Sequence, residues 1–297
     1  MAHPDILNHR RAKEAVNEIA MLLKDNQPIA IGEVVKAGSL GHGTAVPGDF
    51  DLDLVIYSPD VDTHTMRYKG FGKWLDQLET FLERQPKVVI TKRTKFSVQF
   101  KFDDIIDVDL LVSPYWNNQH DFYDFLRGVP KEERYEYSVC AAKWQVEFFE
   151  QQPNQVKELI KRAKAWRNKL WSERKLSNKP KSYLISLLVL NAYEKATKRM
   201  GTSNTRRIAE ATMDELKNLL LNRHGIDIYW EKFYSVGGGM PSGPNLFPTS
   251  LPRIVDPANP ANNLYDTGVA KSRGQRGDGW SELVENIHSV DLLQRLV

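Results

Sequence analysis

The chain has 297 residues, of which 41% are hydrophobic and 27% are charged, and these fractions are typical of a globular protein. Its formal net charge of +3 is too small to indicate a nucleic-acid partner by itself. The sequence has no run of about 18 apolar residues and starts with a charged segment, so we expect neither a membrane-spanning helix nor a signal peptide. A single cysteine, Cys140, excludes an internal disulfide. We therefore expect a cytoplasmic globular protein.

The hydrophobic pattern changes along the chain. Apolar residues spaced by three or four predict helices over residues 8–24 and 68–84. Five short segments rich in β-branched and aromatic residues then predict strands: GEVVKAG, FDLDLVIYS, KVVITK, KFSVQFKF and IIDVDLLV. Helical patterns follow in VKELIKRAKAWRNKLW, KSYLISLLVLNAYEKATKRM, TMDELKNLLLNRH and the closing GWSELVENIHSVDLLQRL. Residues 235–263, rich in Gly, Pro and Asn, predict an irregular loop. The boundary between the strand-containing half and the helical half is expected near residue 150.

Two acidic patterns lie within predicted strands. Asp51 and Asp53 alternate with apolar residues, and residues i and i+2 of a strand point to the same face. Two carboxylates this close repel each other unless a cation lies between them, and Mg²⁺ prefers such oxygen ligands. Asp107 and Asp109 alternate in the same way in IIDVDLLV, where a buried carboxylate is costly without a partner. The pattern indicates a shared metal site; an ordinary surface acidic pair is the alternative.

A glycine-rich segment, GSLGHG, precedes the first acidic pair. Glycines allow the backbone to approach a phosphate, and the Ser39 hydroxyl after Gly38 adds a hydrogen-bond donor. A plain glycine turn is the alternative for this segment taken alone, and we expect His42 within it to be exposed. The order of strand, Gly-Ser segment, paired aspartates and later aspartate is typical of a two-metal site. At such a site a hydroxyl attacks an α-phosphate and pyrophosphate leaves.

These motifs, in VVKAGSLGHGT and DFDLDLVIYS, resemble the 2′-5′-oligoadenylate synthetase branch of the template-independent nucleotidyltransferases, which also include cyclic GMP–AMP synthase. The resemblance continues in QVKELIKRAKAWRNKL, NKPKSYLISLLVLNAYE and GWSELVENI. It also covers LPRIVDPANPANN, the Asp-Pro loop that distinguishes this branch, in which we expect Asp and Asn side chains to bond the backbone. The resemblance implies an α+β, bilobal nucleotidyltransferase fold. Residues 1–150 would form a catalytic lobe with a mixed β-sheet and an N-terminal helix, and residues 151–297 a helical lobe.

The resemblance also implies roles for individual residues. Three carboxylates would be catalytic and would bind two Mg²⁺ ions: Asp51, Asp53 and Asp109. Asp107 lies outside this set, two residues earlier. The nucleotide would be bound by Gly38, Ser39, Lys164, Ser182 and Tyr183.

Two of these nucleotide contacts have structural alternatives. Lys164 lies in the segment from Lys157 to Lys181, which contains ten basic residues and only two acidic ones. Such a run is also typical of a solvated helix face. The Tyr183 ring suits stacking on a purine, but a tyrosine partly buried in the core is the alternative.

The implied activity is the Mg²⁺-dependent polymerisation of ATP, with other nucleoside triphosphates as further substrates, into 2′-5′-linked oligoadenylate. Pyrophosphate would be released, and the product would act as a second messenger in antiviral innate immunity. A cyclic di- or trinucleotide synthase on the same scaffold is one alternative, and a catalytically inactive nucleic-acid sensor is another. Ser182 favours the cyclic product, because oligoadenylate synthetases commonly have Gln here and cyclic-dinucleotide synthases have Ser. The three aspartates argue against an inactive sensor.

Double-stranded RNA is the activator that the resemblance implies for vertebrate members. Lys36 matches one RNA-contacting lysine, but Val146 and Glu150 stand at two positions where the family has basic residues. An acidic side chain repels phosphate. The chain therefore either acts without RNA or binds it through a shifted basic surface. We expect it to be a monomer.

Overall fold

The structure is a computed structural model that describes residues 4–26, 28–48, 51–175, 178–201, 204–234, 246–269 and 278–289. The chain divides into two compact units, residues 1–150 and residues 151–297. None of the described helices combines the length and the hydropathy needed to cross a lipid bilayer.

The first unit is built around a five-stranded mixed β-sheet. Its strands are β1 (Glu33–Lys36), β2 (Leu52–Ser58), β3 (Val88–Arg93), β4 (Ser97–Phe102) and β5 (Ile106–Pro114). The strand order is β1-β2-β5-β4-β3, in which β2 and β5 are parallel and the other neighbours are antiparallel. All five strands predicted from the sequence are present, and the α+β fold class is confirmed.

Helices accompany this sheet along the chain. They are α1 (Pro4–Asn26), α2 (Gly38–Gly41), α3 (Thr63–Lys69), α4 (Gly72–Leu82), α5 (Gln119–Arg127) and α6 (Ala142–Glu150), with a 3₁₀ helix at Arg134–Ala141. The helix predicted over residues 68–84 is two helices, because Gly70 ends α3 with a φ of 68°. The sequence did not predict α5 and α6.

The alternation within β5 orients the sheet. One face of β5 is buried and carries the apolar residues Ile106, Val108, Leu110 and Val112. Helix α4 packs on β3, β4 and β5, and it buries Trp74 and Leu78. Asp107 and Asp109 alternate with the buried residues and therefore lie on the opposite face of the sheet.

The second unit is predominantly helical. Its helices are α7 (Asn154–Arg174), α8 (Ser182–Met200), α9 (Thr205–Leu221), α10 (Glu231–Tyr234), α11 (Leu264–Gly268) and α12 (Gly279–Asn286), with 3₁₀ helices at Arg223–Gly225 and Ile287–Ser289. Strands β6 (Asp227–Ile228) and β7 (Arg253–Ile254) form a small parallel sheet. Helix α8 packs against both α7 and α9. This position explains why α8 is apolar on nearly every side.

The three long helices predicted in this half are confirmed. Part of the predicted irregular loop, residues 235–245, lies outside the described residues, as do residues 290–296 of the predicted closing helix. In the described remainder of the loop, β7 is a short regular element that the sequence did not predict. Helix α12 confirms the start of the closing helix, and Trp280 Nε1 fastens it by donating to the Leu220 carbonyl of α9 at 3.0 Å.

Candidate active site

Two of the predicted carboxylates lie side by side on the central parallel strands. Asp53 on β2 is the register partner of Asp109 on β5, and both residues are partly buried. Leu52 and Leu54, which flank Asp53, are fully buried on the other face. Adjacent strands lie about 5 Å apart. The structure therefore brings these two carboxylates into one site.

The Gly-Ser segment lies against the Asp53 carboxylate. The Ala37 N–H donates to the Asp53 carbonyl oxygen at 2.9 Å. Gly38 follows with a φ of 56°, in the left-handed region that favours glycine. A β-carbon on Gly38 would overlap Asp53 Oδ2, so any other residue would displace the carboxylate. Residues 38–41 form helix α2 where the sequence predicted a loop, and Ser39 is partly buried within it.

The clustered carboxylates change the acidity of Asp53. Burial, followed by the negative charges of Asp109 and Asp51, raises the pKa of Asp53 from its ordinary value of 3.8 to about 7. Asp51, exposed immediately before β2, is thus close enough for its charge to act on Asp53. The ionised form of Asp53 is costly in the metal-free protein, and a cation beside it would remove that cost.

The donor set fits a hard divalent cation. Asp51, Asp53 and Asp109 offer the carboxylate oxygens that Mg²⁺ prefers. Asp109 Oδ1 is buried without a hydrogen-bond partner among the described residues, and Asp109 Oδ2 accepts a hydrogen bond of 3.1 Å from Gln99 Nε2. Within the described part of the chain, no three His, Cys, Asp or Glu side chains already surround one point as a metal cage. The carboxylates suit Mg²⁺ chemically, and their side chains must converge to bind it.

Asp107 has a different environment from Asp109, although the two alternate on one strand. Its side chain is 57% exposed, and Asp107 Oδ1 lies 3.2 Å from Lys101 Nζ. Lys101 is the register partner of Asp107 on β4. The salt bridge provides Asp107 with a positive charge, which fits its place outside the predicted metal set.

His42 is not exposed, contrary to the expectation from the sequence. It is buried, and its ring stacks on that of Phe149 with centroids 4.3 Å apart. The glycine segment also contacts α6 at Gly41, where an added β-carbon would lie 3.0 Å from Val146 Cγ2. Val146 is therefore a packing residue. Glu150 is exposed at the end of α6, and Lys36 is partly buried on β1.

In the second unit, Lys164 is buried within α7. It is only 3% exposed, which contradicts a solvated helix face at this position. Arg167 is also buried, and its Nη1 donates to the Pro180 carbonyl oxygen at 2.9 Å, just before Ser182. The sequence carried a signal for this burial, because Lys164 and Arg167 continue the 3.6-residue apolar stripe of α7 that includes Ile160. The run of basic residues concealed that stripe.

Tyr183 is anchored through its hydroxyl. Ser182 and Tyr183 begin α8 and are partly buried. The Tyr183 hydroxyl donates to Oδ1 of the fully buried Asp256 at 3.1 Å. Burial, together with this carboxylate, raises the pKa of Tyr183 well above its ordinary value. The hydrogen bond fixes the ring, and Tyr183 is partly buried, not fully enclosed.

Asp256 organises the Asp-Pro loop. Three further donors reach its carboxylate, namely Ala258 N, Asn259 N and Asn262 Nδ2. Asn263 Oδ1 accepts from the Ile254 and Tyr265 N–H groups at 2.8 and 3.1 Å. The prediction that Asp and Asn side chains bond the backbone of this loop is confirmed. The hydrogen bond from Tyr183 to Asp256 was not predicted, since 73 residues separate the two.

Two family models match this sequence. The one described as 2′-5′-oligoadenylate synthetase 1, domain 2, C-terminus covers residues 117–287, and a nucleotidyltransferase domain covers residues 16–106. The chain belongs to the 2′-5′-oligoadenylate synthetase family. It is a nucleotidyltransferase, as the resemblance implied.

Individual relatives agree with this assignment. The chain is 26% identical to 2′-5′-oligoadenylate synthase 1A of Rattus norvegicus, over 91% of this chain and 81% of the relative. It is 24% identical to the inactive 2′-5′-oligoadenylate synthase 1B of the same species, over 94% and 79%. The structure of E. coli MS115-1 CdnC with ATP superposes with a TM-score of 0.57 over 96% of this chain and 83% of that chain, at 18% identity. This last likeness concerns the fold alone.

Most of the candidate site residues lie within the matched segments. Asp51 and Asp53 lie within the nucleotidyltransferase match, and Lys164 and Tyr183 lie within the C-terminal match. Asp109 falls between the two segments. Its assignment therefore depends on its register with Asp53.

Proposed function

We propose that this nucleotidyltransferase uses Mg²⁺ to polymerise ATP into 2′-5′-linked oligoadenylate. The observation that carries the proposal is the register pair of Asp53 and Asp109, with Gly38 against the Asp53 carboxylate. The family match over residues 117–287 supports a linear oligoadenylate as the product. In the reaction, an acceptor 2′-hydroxyl bonds to the α-phosphorus of a donor ATP. The bond from that phosphorus to the leaving pyrophosphate breaks, and the hydroxyl proton is released.

The three carboxylates hold the metal in this proposal. Asp51, Asp53 and Asp109 would bind two Mg²⁺ ions, which would neutralise the charge on the α-phosphate and on the departing pyrophosphate. The ionisation of Asp53 would be favoured by these ions, because its pKa is raised to about 7 in their absence. The exposed Asp51, immediately before β2, would be the third carboxylate of the metal site.

The remaining residues hold the nucleotide. Gly38 lets the Gly-Ser segment lie directly against the Asp53 carboxylate, and the backbone of this segment and the Ser39 hydroxyl would donate to the donor phosphates. Lys164 neutralises triphosphate charge, and Tyr183 stacks on the purine with its ring fixed by its hydrogen bond. A stacking ring accepts any purine, so stacking alone does not select strictly for adenine. We expect ATP to be the best donor and the acceptor to be less strictly selected.

The decisive experiment is to identify the product. The full chain is incubated with Mg²⁺ and the four nucleoside triphosphates, and the products are analysed by mass spectrometry before and after phosphatase treatment. We expect adenylate chains that lose their terminal phosphates and resist a nuclease specific for 3′-5′ linkages. Asp51→Asn and Asp53→Asn should each abolish pyrophosphate release, and near-normal turnover by both variants contradicts the metal assignment.

A cyclic di- or trinucleotide is the second candidate product, favoured by Ser182. A cyclic product has no terminal phosphate to lose. If the main product survives phosphatase unchanged, the oligoadenylate proposal is wrong and the cyclic one replaces it. The same assay tests the third alternative, a catalytically inactive sensor, for which no product would form. One relative of nearly equal identity is described as inactive.

We also propose that duplex RNA does not activate this chain through the basic contacts described for vertebrate members. Val146 packs against Gly41, and Glu150 presents a negative charge at the second position. Turnover with and without long duplex RNA tests this point. Strong stimulation that disappears in Lys36→Glu contradicts the proposal. We propose in addition that the protein is a monomer and lies in the cytoplasm. Light scattering checks the oligomeric state, and cell fractionation checks the location.

A further inference from the structure

Strand β4 faces the two aspartates of β5 with two different side chains. Gln99 is the register partner of Asp109, and Lys101 is the register partner of Asp107. Lys101 Nζ lies 3.2 Å from Asp107 Oδ1, whereas Gln99 Nε2 donates to Asp109 Oδ2 at 3.1 Å. Alternate positions of one strand thus provide one aspartate with a cation and the other with a neutral amide.

The two partners have different consequences for the carboxylate that they contact. An ammonium group offsets the negative charge and competes with any metal ion for the same oxygens. An amide N–H fixes the orientation of a carboxylate but leaves its full charge in place. Asp109 Oδ1 stays buried without a hydrogen-bond partner among the described residues, on the strand next to Asp53.

We propose that Gln99 is a positioning residue for the metal-binding carboxylate Asp109. Its amide holds Oδ2 so that the charged Oδ1 remains available to a divalent cation, and its neutrality keeps Asp109 from being paired as Asp107 is. The pattern Gln-Phe-Lys at residues 99–101, opposite Asp-Val-Asp at residues 107–109, therefore distinguishes the metal ligand from its neighbour. This inference rests on the proposed function only in assigning a cation to Asp109, and it does not depend on the product.

The test measures cation binding with Mn²⁺ as the probe. Free Mn²⁺ is followed by electron paramagnetic resonance as the full chain is titrated in the presence of a non-hydrolysable ATP analogue. Gln99→Lys reproduces at Asp109 the pairing seen at Asp107, so Mn²⁺ affinity should fall by about tenfold or more, within the range typical for outer-shell partners. Gln99→Leu, which loses only the orienting hydrogen bond, should have a smaller effect of about threefold to tenfold.

Lys101→Gln is the matched control. It makes the reverse exchange two register pairs away and should leave Mn²⁺ affinity within about twofold of the wild type, because Lys101 contacts Asp107 and not Asp109. A merely structural role for Gln99 would lower the unfolding midpoint of its variants without changing Mn²⁺ affinity. Should Gln99→Lys fail to fold, Gln99→Met keeps the volume without the donor and carries the expectation given for Gln99→Leu.

Product formation by the same proteins separates the two proposals. Wild-type affinity in Gln99→Lys overturns the role of Gln99, even if oligoadenylate is made normally. Absence of Mn²⁺ binding by the wild-type chain overturns it as well. Weakened Mn²⁺ binding in the Gln99 variants, with a product other than oligoadenylate from the wild type, supports this inference and contradicts only the proposed product.

Discussion

Replacing Asp53 by Asn should stabilise the metal-free protein while abolishing its activity. Burial and two neighbouring carboxylates raise the pKa of Asp53 from 3.8 to about 7. The folded state therefore keeps a proton over a pH range in which the unfolded chain has lost it. In that range the stability of the wild type decreases as pH rises, and the decrease ends above about pH 7. A neutral Asn does not titrate, so Asp53→Asn escapes this loss.

The magnitude follows from the difference between the two pKa values. At about 1.4 kcal/mol for each pKa unit, the rise from 3.8 to about 7 corresponds to roughly 4 kcal/mol at alkaline pH, as an upper limit. Roughly half of this, about 2 kcal/mol, accumulates between pH 5.5 and pH 8.5. For a unit of this size the change amounts to roughly 4–8 °C in Tm.

The assay is thermal or urea unfolding in EDTA at pH 5.5 and at pH 8.5. The stability of Asp53→Asn relative to the wild type should increase by about 2 kcal/mol between the two pH values. Mg²⁺ at pH 8.5 should then stabilise the wild type more than the variant. Asp107→Asn is the control, because Asp107 is exposed and paired with Lys101, and it should show no such pH-dependent gain. A pH-independent destabilisation by Asp53→Asn would refute the reasoning.

Substitutions at three further residues test the nucleotide contacts. Gly38→Ala should lower turnover by about 100-fold with native circular dichroism, because its β-carbon displaces the Asp53 carboxylate; normal turnover contradicts that steric argument. Lys164→Met, which keeps the buried stem but removes the charge, should raise the KM for ATP by about tenfold. Lys164→Ala should also lower the Tm, because the residue is buried. A lowered Tm with normal kinetics assigns Lys164 a structural role. Tyr183→Phe should reduce the free energy of unfolding by about 1–3 kcal/mol in urea titrations, since Asp256 loses a donor. Tyr183→Ala should raise the KM for ATP more than Tyr183→Phe does, and equal KM values contradict stacking.

The sequence predicted the strands and the aspartates because both depend on local alternation. In IIDVDLLV, the period of two that buries Ile106 and Val108 also places Asp107 and Asp109 on the other face. What alternation cannot predict is the neighbour of each strand. The register of Asp53 with Asp109 requires β2 to pair with β5 rather than with the next strand in the sequence. That pairing depends on long-range packing.

Side-chain environments were harder to predict than positions. His42 follows a glycine and precedes another, a pattern typical of exposed loops, but it stacks on Phe149 from a helix that the sequence did not predict. Lys164 belongs to a strongly charged stretch, yet it is buried because its helical phase matches the apolar stripe of α7. In both cases the residue type indicated exposure to solvent. Burial is determined instead by packing against the unpredicted helix α6 for His42, and by helical periodicity for Lys164.

The hydrogen bond between Tyr183 and Asp256 joins two features that the sequence treated separately. The Asp-Pro loop carries part of the family resemblance, and Tyr183 is a nucleotide-contact candidate at the start of α8. Asp256 is fully buried and accepts from the tyrosine as well as from its own loop. The Lys181 N–H also donates to the Gly268 carbonyl oxygen at 2.8 Å, which ties the same end of α8 to α11. If Tyr183 binds the nucleotide as proposed, the loop would influence that binding by fixing the start of α8.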